Sequence, residues 1–125
     1  MSGVTLDAGP LIQLDRNSRQ VVALLALADE MGSEVTVPAT ALAQAVRNPS
    51  RQARLARFLR QPRTNIVPLD RVDATSVGRL LAASGTSDIA DAHVVVCARR
   101  AGQPIVTSDP KDLKTLDPTA KLIIV

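Results

Sequence analysis

The stretch Ile105-Val-Thr-Ser-Asp-Pro110 contains a β-branched run, a short polar break and a proline that suits the first turn of a helix. It predicts a strand over Ile105–Thr107, followed by a short helix over Pro110–Leu116. Similar β-branched runs alternate with helical stretches elsewhere in the chain: Val35–Val37, Ile66–Val67 and Leu122–Val125. This alternation predicts a parallel sheet covered by helices on both faces.

The remaining elements extend the same alternation to both ends of the chain. A first strand is predicted at Gly3–Leu6, and a helical run follows at Leu11–Asp15. Longer helices are predicted over these ranges: Ser18–Met31, Ala39–Arg47, Ser50–Pro62, Asp70–Ser84 and Ser87–Ala101. We expect one α/β domain over 1–125, because 125 residues suit a single core. The expected architecture is a three-layer α/β/α sandwich, and we take 3-2-1-4-5, an order of doubly wound sheets, as its strand order.

Composition limits the classes of function. Phe58 is the only aromatic residue, which argues against aromatic stacking platforms for single-stranded nucleic acid. Cys97 is the only cysteine, so no internal disulfide is expected, and the interpretation is a cytoplasmic protein. No apolar run reaches the length that spans a bilayer, and the start, Met1–Asp7, lacks the basic segment of a signal peptide.

Positive charge is concentrated in the middle of the chain. The net charge is only +3, yet no Asp or Glu occurs from Val35 to Leu69. That segment contains six arginines: Arg47, Arg51, Arg54, Arg57, Arg60 and Arg63. On a helix, Arg54, Arg57 and Arg60 face away from the apolar residues of the same segment. This basic face is either a solvated surface or one that binds RNA or a protein partner.

The acidic residues fall where an open parallel sheet places its ligands. Asp7 follows the first strand and Asp109 follows the fourth. In the predicted order these strands are neighbours at the switch point, so their carboxyl ends bring both carboxylates together. Asp88 and Asp91 lie on one face of the first turn of a helix and could face the same cleft. Clustered carboxylates favour a hard divalent cation, Mg²⁺ or Mn²⁺, that could activate water against a phosphodiester.

A second interpretation of these acids is helix capping. Asp7, Asp88 and Asp109 each precede a predicted helix, and Asp109-Pro110 is typical of a cap followed by proline at the first helical position. His93 lies two residues from Asp91 on the same helix and should point away from the cleft. We expect it to be a packed histidine.

Four segments together carry a family resemblance: Val4–Asp7, Val37–Gln44, Asp88–Ala92 and Val106–Asp109. The chain resembles PIN domains, and VapC-type toxin ribonucleases in particular. This resemblance implies an endoribonuclease dependent on magnesium or manganese, usually a homodimer, with a cognate antitoxin as partner and RNA as substrate. It assigns Asp7, Asp91 and Asp109 to the metal site, with Asp112 as an accessory acid.

One position departs from the family. Gln44 stands where PIN domains usually have a glutamate, and an amide keeps the oxygen ligand but loses a negative charge. Asp88 could restore that charge. A catalytically weakened PIN module that binds RNA or a protein without cleavage is therefore the alternative function. Aspartyl-phosphate phosphatases are disfavoured, because they need a second aspartate where this chain has Gly9.

Overall fold

A computed structural model describes residues 3–125. Met1 and Ser2 lie outside this range. Both belong to the predicted domain and to Met1–Asp7, the segment in which no signal peptide was predicted. The five strands are β1 (Val4–Leu6), β2 (Val35–Pro38), β3 (Thr64–Val67), β4 (Ile105–Thr107) and β5 (Leu122–Ile124). The seven α-helices of the described range are α1 (Ala8–Asp15), α2 (Arg19–Glu30), α3 (Ala39–Ala45), α4 (Ala53–Leu59), α5 (Arg71–Ser84), α6 (Ile89–Ala101) and α7 (Pro110–Leu116).

The strands form one parallel sheet in the order β3-β2-β1-β4-β5. The predicted α/β/α architecture and strand order are confirmed. Leu6, Val37 and Val106 are fully buried in the central strands, as expected for a sheet covered on both faces. Leu6 of β1 pairs with Val106 of β4, so the residues that follow these strands emerge side by side.

Helix α1 begins earlier than predicted. The turn residues Gly9 and Pro10 suggested a break before Leu11, but both belong to the first turn of α1. A proline is tolerated there because backbone N–H groups in the first turn have no partner within the helix. The result is that α1 starts directly after Asp7.

The connection between α3 and α4 also differs from the prediction. Helix α3 ends at Ala45, and beyond it the side chain of Gln52 accepts hydrogen bonds from the backbone N–H groups of Arg47 and Asn48. Ser50 does not cap α4, since its hydroxyl donates to Asn48 within a short 3₁₀ turn over Pro49–Arg51. Consequently α4 begins only at Ala53.

No helix in residues 3–125 combines the length and apolar character needed to cross a membrane.

Candidate functional site

Asp7 is held rigidly at the carboxyl end of β1. Its side chain is only 6% exposed. Oδ1 accepts a hydrogen bond from the backbone N–H of Ala8 at 2.8 Å, and Oδ2 accepts one from the Thr107 hydroxyl at 2.8 Å. Each carboxylate oxygen has a second lone pair, so both can still accept a further donor or a cation.

Thr107 joins the acids that follow the two central strands. Its Oγ1 accepts a hydrogen bond from the backbone N–H of Asp109 at 2.9 Å. This contact leaves the hydroxyl proton directed at Asp7. Thr107 was not assigned a role in the sequence analysis, because the contact joins residues 100 positions apart in the chain. Its position at the end of the predicted fourth strand, which neighbours the first strand in the predicted order, was the available signal.

Gly9 allows the first turn of α1 to approach the loop after β4. A Cβ atom at Gly9 would lie 2.0 Å from Ser108 Oγ and 3.2 Å from Ser108 Cβ. Such contacts require the Ser108 hydroxyl to rotate away and the two segments to separate slightly. The absence of a side chain at this position therefore helps to keep Asp7 against Thr107.

The beginning of α6 contributes a second pair of acids. Asp88 is the N-cap residue, and its Oδ1 accepts a hydrogen bond from the backbone N–H of Asp91 at 2.9 Å. Asp88 is exposed, whereas Asp91 is partly buried. Asp112, in the first turn of α7, lines a cleft of about 260 Å³ together with Asp88 and Asp91.

The electrostatics show that these acids form one cluster. The pKa of Asp91 is raised to about 7, first by burial and then by the negative charges of four other carboxylates: Asp7, Asp88, Asp112 and Asp109. Burial also raises the pKa of Asp7, although its hydrogen bonds from Thr107 and Ala8 oppose the shift. The charges of Asp109 and Asp88 raise it further. Proton uptake by Asp91 is thus one way in which the folded chain reduces the repulsion.

The term acidic cluster denotes five residues: Asp7, Asp88, Asp91, Asp109 and Asp112. No basic side chain in the described range forms a salt bridge within 4 Å with any of them. Several unpaired carboxylates in one place favour a bound cation. The donor set consists only of oxygen atoms, which suits a hard divalent ion better than a soft one. The residues present therefore fit Mg²⁺ or Mn²⁺.

Helix capping explains only part of this arrangement. Asp7 and Asp88 do accept hydrogen bonds from the first turns of α1 and α6. Asp109 occupies the N-cap position of α7, but its side chain makes no capping hydrogen bond. Capping alone therefore does not account for the carboxylate of Asp109.

The other candidate residues lie outside these contacts. Gln44 is exposed on α3, a helix that packs against both α1 and α6. The arginines Arg54, Arg57 and Arg60 are exposed, as the helical pattern predicts. Arg54 and Arg57 also line a groove of about 380 Å³ that includes the side chain of Phe58. His93 is buried and hydrogen-bonded away from the acidic cluster, as expected.

An α/β/α sheet with an acidic cluster at the carboxyl ends of its strands defines the class of protein. The sequence matches the PIN domain over residues 4–117. The chain therefore belongs to the PIN-domain family, whose members are nucleases that use divalent metal ions. No curated protein matches the sequence closely enough to suggest a nearer relative.

Solved structures of toxin–antitoxin systems share the fold. VapBC2 from Rickettsia felis, bound to a promoter DNA fragment, is 16% identical and has a TM-score of 0.68, with 98% of each chain covered. A toxin–antitoxin complex from Klebsiella pneumoniae is 14% identical with a TM-score of 0.71, covering 96% of this chain and 95% of that one. VapBC-5 from Mycobacterium tuberculosis is 25% identical with a TM-score of 0.56, covering 100% and 98%. The resemblance to VapC-type PIN domains is confirmed.

Proposed function

We propose that this protein is a Mg²⁺- or Mn²⁺-dependent endoribonuclease that hydrolyses RNA phosphodiester bonds and is the toxin of a toxin–antitoxin pair. The observation that carries this proposal is the acidic cluster, whose carboxylates form no salt bridge with a basic side chain among residues 3–125. Membership of a nuclease family supports it. RNA cleavage that requires a divalent ion and is lost on chelation tests it.

Three acids hold the metal in this proposal: Asp7, Asp91 and Asp109. A divalent ion held there would lower the pKa of a bound water and would stabilise negative charge on the phosphate under attack. The Ala8 N–H and the Thr107 hydroxyl fix the orientation of the Asp7 carboxylate. Asp91 carries a proton below about pH 7 until a cation displaces it. Asp112 is the accessory acid on the wall of the same cleft.

Asp88 supplies the charge that Gln44 lacks. Its carboxylate acts electrostatically on both Asp7 and Asp91, and it is exposed to solvent at the start of α6. One of its oxygens caps the helix, while the other forms no hydrogen bond in the described part of the chain. The net charge of the cluster is thereby kept without a glutamate on α3.

Two protein partners belong to the proposal: a cognate antitoxin and a second copy of the chain. One structural neighbour described as a toxin–antitoxin complex and one described as a member of a family of toxin–antitoxin systems support the antitoxin. The homodimer is carried over from the family resemblance, and the cytoplasmic location from the single cysteine of the sequence.

The alternative function is a PIN module that binds RNA or a protein without cutting. It is favoured by one observation, the exposed amide of Gln44 in place of the usual glutamate. The groove beside Phe58, with its partly apolar lining, offers such a module a surface for a protein partner.

A glutamate in place of Gln44 distinguishes the metal-dependent nuclease from the module that binds without cleavage. We expect Gln44→Glu to lower the Mn²⁺ concentration needed for half-maximal cleavage, on the order of several-fold, because an added charge strengthens cation binding. Without metal the same variant should melt at a lower temperature, because the charge adds repulsion. Metal titrations of cleavage and of the melting temperature measure both effects.

Gln61→Glu is the matched control, since it makes the same chemical change at an exposed position beyond α4. A Gln44→Glu protein that is less stable at every Mn²⁺ concentration and no more active would favour the binding module.

The basic face of α4 has its own test. We expect replacement of Arg54, Arg57 and Arg60 by glutamine to weaken RNA binding and to reduce its logarithmic salt slope by about 0.7 for each lost phosphate contact. Binding measured at several salt concentrations gives the slope. A protein with Arg19, Arg71 and Arg79 replaced has the same net charge and serves as the control. Equal slopes in the two variants would assign the basic face to solvent or to a protein partner.

A further inference from the structure

A buried polar chain lies beside the acidic cluster and has no part in the proposed chemistry. His93 of α6 is 0% exposed and Asp73 of α5 is 2% exposed. His93 Nε2 lies 2.9 Å from Asp73 Oδ2, and His93 Nδ1 lies 2.8 Å from the hydroxyl of Thr40 on α3. The guanidinium of Arg100 forms a salt bridge with Asp73 at the other end. Three helices, α3, α5 and α6, are thereby joined through polar contacts.

The direction of these hydrogen bonds follows from the charge on Asp73. Hydrogen bonds from Arg100, and to a lesser extent from His93, hold the pKa of Asp73 below its usual value, so the group is a carboxylate at neutral pH. His93 therefore donates through Nε2. With a neutral ring, Nδ1 then accepts the proton of the Thr40 hydroxyl. His93 bonds both Thr40 and Asp73, and Asp73 bonds both His93 and Arg100, so the two buried groups are each held from two sides.

Asp73 and His93, with Cys97, also have ligand atoms within 4.8 Å of one another, an arrangement that a metal could use. The existing contacts argue against that use. Both oxygens of Asp73 already accept hydrogen bonds from Arg100 or His93. Burial raises the pKa of the Cys97 thiol to about 12, so this sulfur remains protonated. The cluster is better explained as a hydrogen-bonded link between helices.

Apart from the bond between Thr40 and His93, helix α3 is held by packing against α1 and α6, with Leu42 partly buried against the core. It is seven residues long, its N-cap residue Pro38 makes no side-chain capping bond, and its buried residues are the small Ala41 and Ala45. Small side chains offer few contacts that would resist rotation or sliding. The bond from Thr40 to His93 therefore restrains α3 against α6.

We propose that Thr40, held by His93, Asp73 and Arg100, is a positioning residue that aligns Gln44 of α3 with Asp91 of α6. Gln44 lies four residues after Thr40, so the two share one face of α3. Asp91 lies two residues before His93 on α6. The hydrogen-bonded series from Thr40 to Arg100 thus fixes α3 and α6, the two helices that bear Gln44 and Asp91. This inference rests on the proposed metal-dependent function.

The test compares Thr40→Val with Thr40→Ser. Valine keeps the shape and removes the hydroxyl, while serine restores it. We expect Thr40→Val to weaken Mn²⁺ binding about tenfold by calorimetry, a typical effect of losing support for a metal site, and Thr40→Ser to regain most of the affinity. Thr40→Ala, with a better helix former at this position, is the second variant if valine prevents folding.

A double-mutant cycle with Gln44→Ala distinguishes positioning from general stability. If Thr40 acts through Gln44, Thr40→Val should have little further effect on Mn²⁺ affinity in the Gln44→Ala background. Arg99→Gln is the control for lost stability. Arg99 lies near the end of α6 and forms a salt bridge with Asp117, which follows α7. We expect this variant to lower the melting temperature without changing Mn²⁺ affinity.

Two results would overturn the inference while leaving the proposed function intact: an unchanged affinity in Thr40→Val, or an equal loss in both backgrounds of the cycle. Wild-type protein that neither binds Mn²⁺ nor cleaves RNA would instead contradict the proposed function, and the inference with it.

Discussion

Replacing Asp7 by asparagine is expected to lower RNA cleavage about 1,000-fold and to leave the fold intact. Metal-ion stabilisation of a transition state is worth several kcal/mol, and each 1.36 kcal/mol is a factor of ten in rate. Asparagine keeps the size of the side chain and an oxygen that can accept the bond from Ala8. It removes the charge that a cation needs. Single-turnover cleavage and circular dichroism measure the two parts of the expectation.

Asp70→Asn is the matched control for this variant. Asp70 caps α5 by accepting the backbone N–H of Asp73 at 2.9 Å, so it shares the capping role of Asp7 but lies outside the acidic cluster. We expect this control to cleave RNA at the wild-type rate. If Asp7→Asn were to unfold, or to retain activity comparable to Asp70→Asn, Asp7 would be a cap and not a metal ligand.

Asp91→Asn is expected to weaken Mn²⁺ binding at least about tenfold and, at the same time, to stabilise the metal-free protein at neutral pH. The first effect follows from a lost ligand. The second follows from lost repulsion, because Asp91 is partly buried among other carboxylates. Calorimetry with Mn²⁺ and thermal unfolding in a chelator measure them separately.

The pH dependence has a definite sign. The pKa of Asp91 is raised from 3.8 to about 7 in the fold, so the folded protein binds more protons than the unfolded chain between these values. Wild-type stability in a chelator should therefore fall as pH rises from about 4 to 7. Asp91→Asn should lose this part of the decline, whereas Asp70→Asn should retain it. Parallel curves for Asp91→Asn and wild type would show that Asp91 does not titrate in this range.

The sheet and the proximity of two members of the acidic cluster could be predicted from the sequence. β-branched runs separated by helical stretches determine a parallel sheet, and the strand order places Asp7 beside Asp109. The first turn of α6 similarly follows from Asp88 and its spacing to Asp91. These features depend on local patterns and on one topological rule.

Contacts between distant segments could not be predicted in this way. The bond from Thr107 to Asp7 and the approach of Gly9 to Ser108 depend on how closely α1 and the loop after β4 pack. Local turn signals at Gly9 and Pro10 also favoured a later start for α1. Packing of the chain, which brings α1 against α3 and α4, outweighs those signals.

The buried hydrogen bonds of His93 are a second example of contacts that the sequence could not predict. The helical position of His93 indicated that it points away from the acidic cluster, and it does. Its partners lie on α3 and α5, 53 and 20 residues away. Asp73 had no feature in the sequence that distinguishes it from an ordinary acid in the first turn of a helix.

The most direct measurement of the central claim is single-turnover cleavage of RNA by the wild-type protein in a chelator, after addition of Mg²⁺ or Mn²⁺, with Asp7→Asn purified and assayed in parallel. The account predicts no cleavage in the chelator, cleavage once the ion is added, and about 1,000-fold less in Asp7→Asn. Cleavage that persists in the chelator, or equal rates for the two proteins, would contradict it.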